Sequence, residues 1–374
     1  MIPTSLTEMQ LAGIGTDVNV AEGYPRQRLT APQQAIVQRF PELMEDAIAT
    51  GFRELETRAH EAFFGALGQT SAPIGSGRLT SLYSSSQAID IVARCLQETV
   101  DAVAVVNPTL DCIPALLRAR RLDVLPVSED ALLAADPFAG LARSPGALFI
   151  ANPNNPTGAH LDSAALSALA ATCAQRGVVL VIDQCFRAFD VRTQYDAYAC
   201  LDASGVEYVV VEDTGKLWPF CGLKLGFLCT SIGTRLPVAE VSADVLLTVS
   251  PFVARLVEEL ATDMAKGGLR QLHELIAGNR AIVAQALDRF GDAVLADGDS
   301  RVSVARVELA ESSATRLWGR LLRRGIHAVP CRPFYWAEPD EGERYLRVAL
   351  ARNPEDVERA AAAIREVVAA TVAV

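Results

Sequence analysis

Short apolar runs alternate with amphipathic segments through the middle of the chain. Runs suited to buried strands stand at 103–106, 122–127, 146–152, 178–183, 208–211 and 224–229. Between them, apolar residues recur every three or four positions, which predicts helices over 88–100, 110–120 and 162–176. Buried strands separated by helices indicate an α/β fold, with a mostly parallel sheet covered by helices on both faces.

The two ends of the chain follow other patterns. Residues 1–30 are mixed and polar, without a strong core pattern. Thr30 is predicted to cap a helix that has Pro32 in its first turn, and a second amphipathic helix is predicted over 50–68. After a long helical stretch at 237–291, predicted strands at 303–307, 327–330 and 344–350 and helices at 311–324 and 354–372 indicate a smaller α+β unit.

Composition narrows the class of protein. The chain has 374 residues, 50% of them hydrophobic, which suits about two domains. Its net charge of -11 and the lack of a basic stripe argue against nucleic acid as a partner. No apolar run is long enough to span a membrane, and the N-terminus does not resemble a signal peptide, so we expect a cytoplasmic protein.

The cysteines and histidines offer no site of their own. The eight cysteines are scattered without a CxxC pair, which favours reduced packing residues. The four histidines lie far apart in the sequence, so no metal-ligand spacing is present.

Three polar residues follow apolar strands in an order that suits pyridoxal 5'-phosphate (PLP) chemistry. Lys216 would carry the cofactor as a Schiff base, Asp183 would pair with the ring nitrogen, and Asn155 would bind the ring oxygen. Lys216 would also be the general base at the substrate α-carbon. Taken singly, they could be a surface lysine, a turn or N-cap carboxylate, and a Pro/Asn/Gly loop residue.

Two further groups fit the same hypothesis. Ser84, Ser85 and Ser86 precede a predicted helix, whose N-terminus would bind the cofactor phosphate together with Lys224. A plain serine cap is the alternative. Arg347 lies where such enzymes hold the substrate carboxylate, although a surface ion pair would also explain an arginine in a strand.

The chain departs from ordinary aminotransferases at two positions beside these residues. Asp213 stands where a serine usually binds the phosphate, and a carboxylate there would repel the phosphate. We therefore expect Asp213 to face a cationic group of the substrate. Phe186 replaces a tyrosine that usually donates to the ring oxygen, which indicates chemistry other than simple amino transfer.

Several motifs together resemble one family over nearly the whole chain. They are Asn19-Val-Ala-Glu-Gly-Tyr-Pro-Arg-Gln, Tyr83-Ser-Ser-Ser, Pro153-Asn-Asn-Pro-Thr-Gly, Glu212-Asp-Thr-Gly-Lys-Leu-Trp-Pro, Pro330-Cys-Arg-Pro-Phe-Tyr-Trp-Ala-Glu-Pro and Leu346-Arg-Val-Ala-Leu. The chain resembles the PLP-dependent L-arginine oxidases and hydroxylases of antibiotic biosynthesis, which have the fold-type-I aminotransferase architecture.

The resemblance implies a homodimer whose N-terminal segment closes over the substrate. It predicts a flexible lid at 1–30, a large PLP-binding domain at 31–285 with entry helices at 31–68 and a mostly parallel seven-stranded sheet, and a small α+β domain at 286–374. It places Thr7, Gln10, Glu22 and Tyr24 at the substrate, with Glu8 as the alternative to Glu22 for a missing acidic partner. Gln10 occupies the position of an acidic residue in the family, and Tyr24 that of a histidine linked to hydroxylation. Leu110 replaces the aromatic residue that usually lies over the cofactor.

The expected reaction is oxidation of L-arginine, or a close cationic amino acid, by dioxygen. The product would be an unsaturated or 4-hydroxylated 2-imino or 2-keto acid, and Tyr24 bears on whether hydroxylation occurs. An aminotransferase for a basic amino acid, a PLP cyclase or eliminase, and a catalytically inactive binding module are the alternatives.

Overall fold

The computed structural model describes residues 5–220, 222–288, 293–310 and 313–372. A short helix, a two-residue strand and three more helices precede the large sheet. They are α1 (Leu6–Ala12), β1 (Val18–Asn19), α2 (Ala31–Gln38), α3 (Phe40–Ala49) and α4 (Phe52–Ala66). α1 begins with a capping box in which Ser5 and Glu8 each accept the other's backbone N–H.

Seven strands form the large sheet. They are β2 (Leu79–Leu82), β3 (Ala102–Asn107), β4 (Asp123–Ser128), β5 (Ala147–Ala151), β6 (Val179–Asp183), β7 (Tyr208–Asp213) and β8 (Gly226–Thr230). Their spatial order is β2-β8-β7-β6-β5-β3-β4. The pairs from β7 to β4 are parallel, whereas β8 runs antiparallel to both of its neighbours.

Helices cover both faces of this sheet. α5 (Ser85–Gln97), α6 (Cys112–Ala119) and α7 (Ser163–Arg176) contact its strands, while α8 (Ala197–Ser204) packs beside α7 and α9 (Val238–Val245) beside α5. The chain continues with α10 (Pro251–Asp263), which packs on α3 and α4, and α11 (Leu269–Leu287). Alternate residues of β3 enter different cores: Ala104 and Val106 join one apolar cluster, and Val103 and Val105 join the other. Burial on both faces explains why the strands are apolar throughout.

A second, antiparallel sheet follows. Its strands are β9 (Ala293–Leu295), β10 (Val304–Leu309), β12 (Val329–Pro330) and β13 (Tyr345–Ala349), and the nearby elements are β11 (Ile326–His327), α12 (Ala314–Leu322), α13 (Pro339–Gly342) and α14 (Pro354–Val372). The order is β12-β13-β10-β9. β1 pairs in parallel with β11, which ties the N-terminal segment to this part of the molecule.

The predicted α/β fold is confirmed, and three details differ. The helix predicted from Thr30 ends at Gln38, and α3 starts after Arg39 with Pro41 in its first turn. The long helical stretch is three helices, and Gly267 with φ 122° interrupts the junction of α10 and α11. The helix α1 has no counterpart among the predicted elements. The domain boundaries at 30 and 285 and the lid motion stay predictions.

Two sequence expectations concern the whole chain. In the described part of the chain, no helix is long and apolar enough to cross a bilayer. The seven described cysteines carry free thiols, while Cys221 lies outside the described residues.

Candidate active site

The carboxyl ends of β6 and β7 bring Asp183 and Lys216 together. Asp183 is the last residue of β6, and Lys216 ends the short 3₁₀ helix that directly follows β7. The two strands are parallel neighbours, with Asp183 paired to Val211. Ligands of open α/β sheets bind at this edge. Asn155 and Arg347 line the same cavity as Asp183 and Lys216, so the four residues predicted from separate motifs meet at one place.

Asp183 is a buried carboxylate that lacks a cation. It accepts a hydrogen bond from the Cys185 backbone N–H at 2.9 Å, and the Cys185 thiol also lies in hydrogen-bond contact. Within the described ranges, no lysine, arginine or histidine nitrogen lies within ion-pair distance of its oxygens. Burial therefore raises the pKa of Asp183. A protonated ring nitrogen would supply the missing charge, so the site fits a pyridinium cofactor.

Arg347 is held by neutral partners. It is 1% exposed, its Nη1 donates to Asn155 Oδ1 at 3.2 Å, and its Nη2 donates to the Ala21 carbonyl at 2.6 Å. Its Nε has no hydrogen-bond partner, and burial lowers the pKa of the guanidinium to about 10. The alternative of a surface ion pair is therefore wrong. Among the described residues, no carboxylate lies within ion-pair distance of Arg347, although Asp111 lies near enough for its charge to be felt. A buried guanidinium of this kind is suited to bind a substrate carboxylate.

At the start of α5, a carboxylate of the protein, that of Asp213, accepts a hydrogen bond from the helix. Ser84 is the N-cap and accepts from the Gln87 N–H at 3.2 Å. Asp213 Oδ2 accepts from the Ser85 N–H at 2.9 Å and from Lys224 Nζ at 2.8 Å. Burial opposes ionisation, yet Lys224 keeps the pKa of Asp213 below its usual range.

The expectation that Asp213 turns away from this helix start is wrong. Asp213 is 2% exposed and its carboxylate faces Lys224 and the start of α5, because the Lys224 amine and the Ser85 N–H both donate to it there. Asp213 consequently does not line the cavity. An anion bound at the N-terminus of α5 would share the charge of Lys224 with Asp213.

Most of the predicted site residues line the cavity, and three do not. The lining residues from the prediction are Thr7, Gln10, Tyr24, Ser85, Ser86, Asn155, Asp183, Lys216, Lys224 and Arg347. Ser84, Asp213 and Glu22 are not among them. Glu22 lines a neighbouring cavity and pairs with Arg26 at 2.5 Å, so the expectation that it contacts the substrate is wrong for this structure.

Tyr24 lies over both lysines of the site. Its ring centroid is 4.3 Å from Lys216 Nζ and 5.1 Å from Lys224 Nζ, within cation–π distance. The neighbouring Gly23 leaves space beside Lys216, since a Cβ there would lie 3.8 Å from Nζ. The N-terminal segment thus reaches the functional amine directly.

Two residues that the sequence analysis missed hold this N-terminal segment. Arg352 is 1% exposed and donates to the backbone carbonyls of Asn19, Glu22 and Tyr24, each at 2.6 Å. Asp111 lines the cavity and accepts from the Leu6 N–H, at the start of α1, at 2.8 Å. Asp111 closely follows the carboxyl end of β3, and that position was a usable signal.

The family follows from comparison with known proteins. A family model described as "Aminotransferase class I and II" matches residues 31–364. The chain belongs to this family. PLP is accordingly its cofactor, and the buried Asp183, the amine of Lys216 and the start of α5 are the residues that fit it. The matched segment begins after the N-terminal residues that cover the cavity.

Solved structures similar to this aminotransferase-family protein differ widely in sequence identity to it. A structure of MppP soaked with the product 2-ketoarginine is 42% identical, covers 94% of this chain and 99% of that chain, and has a TM-score of 0.90. The aspartate aminotransferase from Thermus thermophilus with maleate is 18% identical, with a TM-score of 0.79 and coverage of 98% and 97%, and shows the fold alone.

The curated relatives are more distant. The L-aspartate:5-guanidino-3-methyl-2-oxopentanoate transaminase of Pseudomonas syringae pv. syringae is 26% identical over 49% of this chain and 47% of its own length. The histidinol-phosphate aminotransferase 2 of Caulobacter vibrioides is 27% identical over 41% of each chain. The match therefore spans less than half the length of either relative.

Proposed function

We propose that this protein uses PLP and dioxygen to oxidise L-arginine or a close cationic amino acid. The observation that carries the proposal is the shared site of Lys216, Asp183, Asn155 and Arg347 beneath the N-terminal segment, in a chain 42% identical to an MppP whose product is 2-ketoarginine. A role in natural-product biosynthesis rests on the sequence resemblance alone.

Each residue of the site has a separate role in the proposed reaction. Bound PLP supplies an electron sink for the electrons released at the substrate α-carbon. Arg347 binds the substrate carboxylate and fixes the direction of the α-carbon–hydrogen bond. Lys216 Nζ accepts the α-proton. Asp183 keeps the ring nitrogen protonated, and Asn155 orients the ring oxygen while it remains in contact with Arg347.

Three features favour oxidation over amino transfer. Phe186 lines the cavity without a hydroxyl for the ring oxygen, and Leu110 takes the place of an aromatic ring. Tyr24 covers the two lysines from the N-terminal side. Closer closure of the N-terminal segment over bound substrate would exclude water, which would favour transfer of electrons to dioxygen over protonation.

The balance of the reaction is a two-electron oxidation. The amino acid loses two electrons and two protons to dioxygen, which becomes hydrogen peroxide, and hydrolysis of the carbon–nitrogen double bond then gives ammonia and the 2-keto acid. A second oxidation along the side chain would give an unsaturated product, and addition of water to that would give the 4-hydroxylated product.

Oxygen consumption tests the proposal. Purified protein loaded with PLP is given L-arginine without any keto acid, while an oxygen electrode and mass spectrometry follow the reaction. We expect oxygen uptake, peroxide and an arginine-derived keto acid. Turnover only after a keto acid is added, without oxygen uptake, would overturn the proposal.

The second candidate is an aminotransferase for a basic amino acid. It is favoured by the family model and by the Pseudomonas syringae transaminase, whose name specifies a guanidino keto acid. This candidate predicts that arginine converts the cofactor to its amine form without oxygen, and that a keto acid restores it. Anaerobic absorbance spectra distinguish the two functions in one experiment.

We also propose that two copies of the chain form a homodimer. Val245, the last residue of α9, and Leu247, which is 90% exposed, present apolar side chains to solvent. Such surface is costly in water and favours contact with another chain. Sedimentation equilibrium should give about twice the mass of the chain, and Leu247→Asp should raise the dissociation constant of the dimer.

A further inference from the structure

Most charged side chains that line the cavity can be assigned to a group of the cofactor, the substrate or the protein that they would bind. Asp183 serves the ring nitrogen, Lys216 the cofactor linkage and Arg347 the substrate carboxylate. Lys224 pairs with Asp213, which also accepts from the Ser85 N–H at the start of α5. Among the described charged residues that line the cavity, Asp111 is then left without an ion pair and without an assigned group of the cofactor or substrate.

Asp111 lies on the wall of the cavity beside the N-terminal helix. It precedes α6, but its side chain does not cap that helix; Oδ2 instead accepts from the Leu6 N–H at 2.8 Å. Over the ranges that the structure describes, no cationic side chain lies within ion-pair distance of it. Burial raises the pKa of Asp111, and the nearby charge of Arg347 counteracts this only in part.

The residues around Asp111 point to a cationic ligand. Thr7 and Gln10 lie on α1, line the same cavity and carry no charge. Glu22 and Asp213 are occupied by Arg26 and Lys224. A substrate cation that enters this cavity therefore has a single uncommitted carboxylate to meet among the lining residues that the structure describes.

We infer that Asp111 binds the distal cation of the substrate and so determines specificity for cationic amino acids. The inference rests on the proposed function and adds the residue that selects the substrate. Because the same carboxylate accepts from Leu6, the substrate cation and the start of α1 share one acceptor. Occupation of the site thereby stabilises α1 over the cavity.

The test separates the charge of Asp111 from its structural bond. In Asp111→Asn, the side-chain oxygen still accepts from the Leu6 N–H, but the charge is lost. Dissociation constants are measured anaerobically from the cofactor absorbance, with L-arginine and with L-citrulline, which replaces the guanidinium with a neutral urea group. We expect arginine to bind about 10- to 100-fold more weakly to the variant, the range for hydrogen bonds to charged groups. Citrulline binding should change less than about twofold.

Glu22→Gln is the matched control, since Glu22 lines the neighbouring cavity and loses the same charge. It should leave both constants unchanged. Equal weakening of arginine and citrulline in Asp111→Asn would mean that Asp111 only docks α1, and unchanged binding would mean that it does not contact the substrate. Either result overturns the inference.

A second variant and the oxygen measurement keep the two proposals apart. Asp111→Glu retains the charge and should keep a preference for arginine over citrulline, although α1 would shift; loss of that preference overturns the inference. If wild-type protein takes up no oxygen but shows the Asp111-dependent preference, the oxidase proposal fails and the inference holds. If wild type binds arginine and citrulline equally, the inference fails whatever the oxygen result.

Discussion

At the scale of single residues, the lysines allow an unusually direct test. The chain has three lysines, Lys216, Lys224 and Lys266, and the first two line the site. Borohydride reduction should fix the cofactor to wild-type protein, and peptide mass spectrometry should place it on Lys216. Lys216→Arg keeps the positive charge near Tyr24 but cannot form the linkage, so no fixed cofactor is expected and activity should fall by more than about a thousandfold.

Lys266→Arg is the control for that experiment, since Lys266 lies in the turn between α10 and α11. It should fix cofactor as wild type does. Fixation at Lys224 in the wild-type protein would contradict the assignment of Lys216.

The residue scale also shows where sequence reasoning works. Lys216, Asp183 and Asn155 could be predicted because each lies at or just beyond the carboxyl end of a strand, and these ends meet in a parallel sheet. The prediction for Asp213 was wrong because its partner, Lys224, lies just before β8, eleven residues further along the chain. No local sequence pattern indicates that these two side chains pair. Arg352 was missed because its partners are backbone carbonyls, which carry no sequence signal.

At the scale of elements, the packing of α1 depends on a glycine. Gly13 follows α1 with φ -99°, which any residue can adopt, but an added Cβ would lie 1.6 Å from His327 Nδ1. Gly13→Ala should therefore displace α1 by overpacking, at a cost of about 1–3 kcal/mol. Hydrogen exchange should show faster exchange in residues 6–12.

Gly65→Ala serves as the comparison, because Gly65 lies inside α4 and a Cβ there meets nothing within 4 Å. It should leave exchange in residues 6–12 unchanged. Unchanged exchange in Gly13→Ala as well would contradict the packing of α1 on His327. The helix itself was predictable from Ser5 and Glu8, which have capping-box spacing, but its seven residues are too few for a clear apolar period.

Arg352 gives a second prediction for the N-terminal segment. Arg352→Lys keeps the charge but loses the planar fork that reaches three carbonyls at once. We expect residues 19–24 to exchange faster and the KM for the amino acid to rise about 10-fold or more, since Tyr24 is no longer fixed over Lys216. The matched variant Arg359→Lys, on the exposed side of α14, should behave as wild type. Equal exchange in the two variants would contradict the clamp.

At the scale of the whole molecule, the alternation of strands and helices sufficed to predict the large sheet, because buried parallel strands are apolar on both faces. The antiparallel pairing of β2 with β8 could not be predicted, since these strands are separated by more than 140 residues. Their pairing also buries a histidine: His60 of α4 lies against Phe227 of β8 at 5.2 Å between ring centroids, and its Nε2 is 2.8 Å from Ser81 Oγ of β2.

His60 makes stability depend on pH in a definite direction. Burial lowers the pKa of His60 from 6.5 to about 4, so the folded protein binds this proton less readily than the unfolded chain does. The stabilisation is fully present above pH 6.5 and is lost as the pH falls towards 4, by about 3 kcal/mol from the pKa difference. His60→Gln lacks the titrating group, so the free energy of unfolding from urea denaturation should fall less between pH 6.5 and 4.5 than in wild type. His160→Gln, outside this packing, should follow the wild-type curve. Parallel curves for wild type and His60→Gln would show that His60 is not held neutral by the contact between α4 and the large sheet.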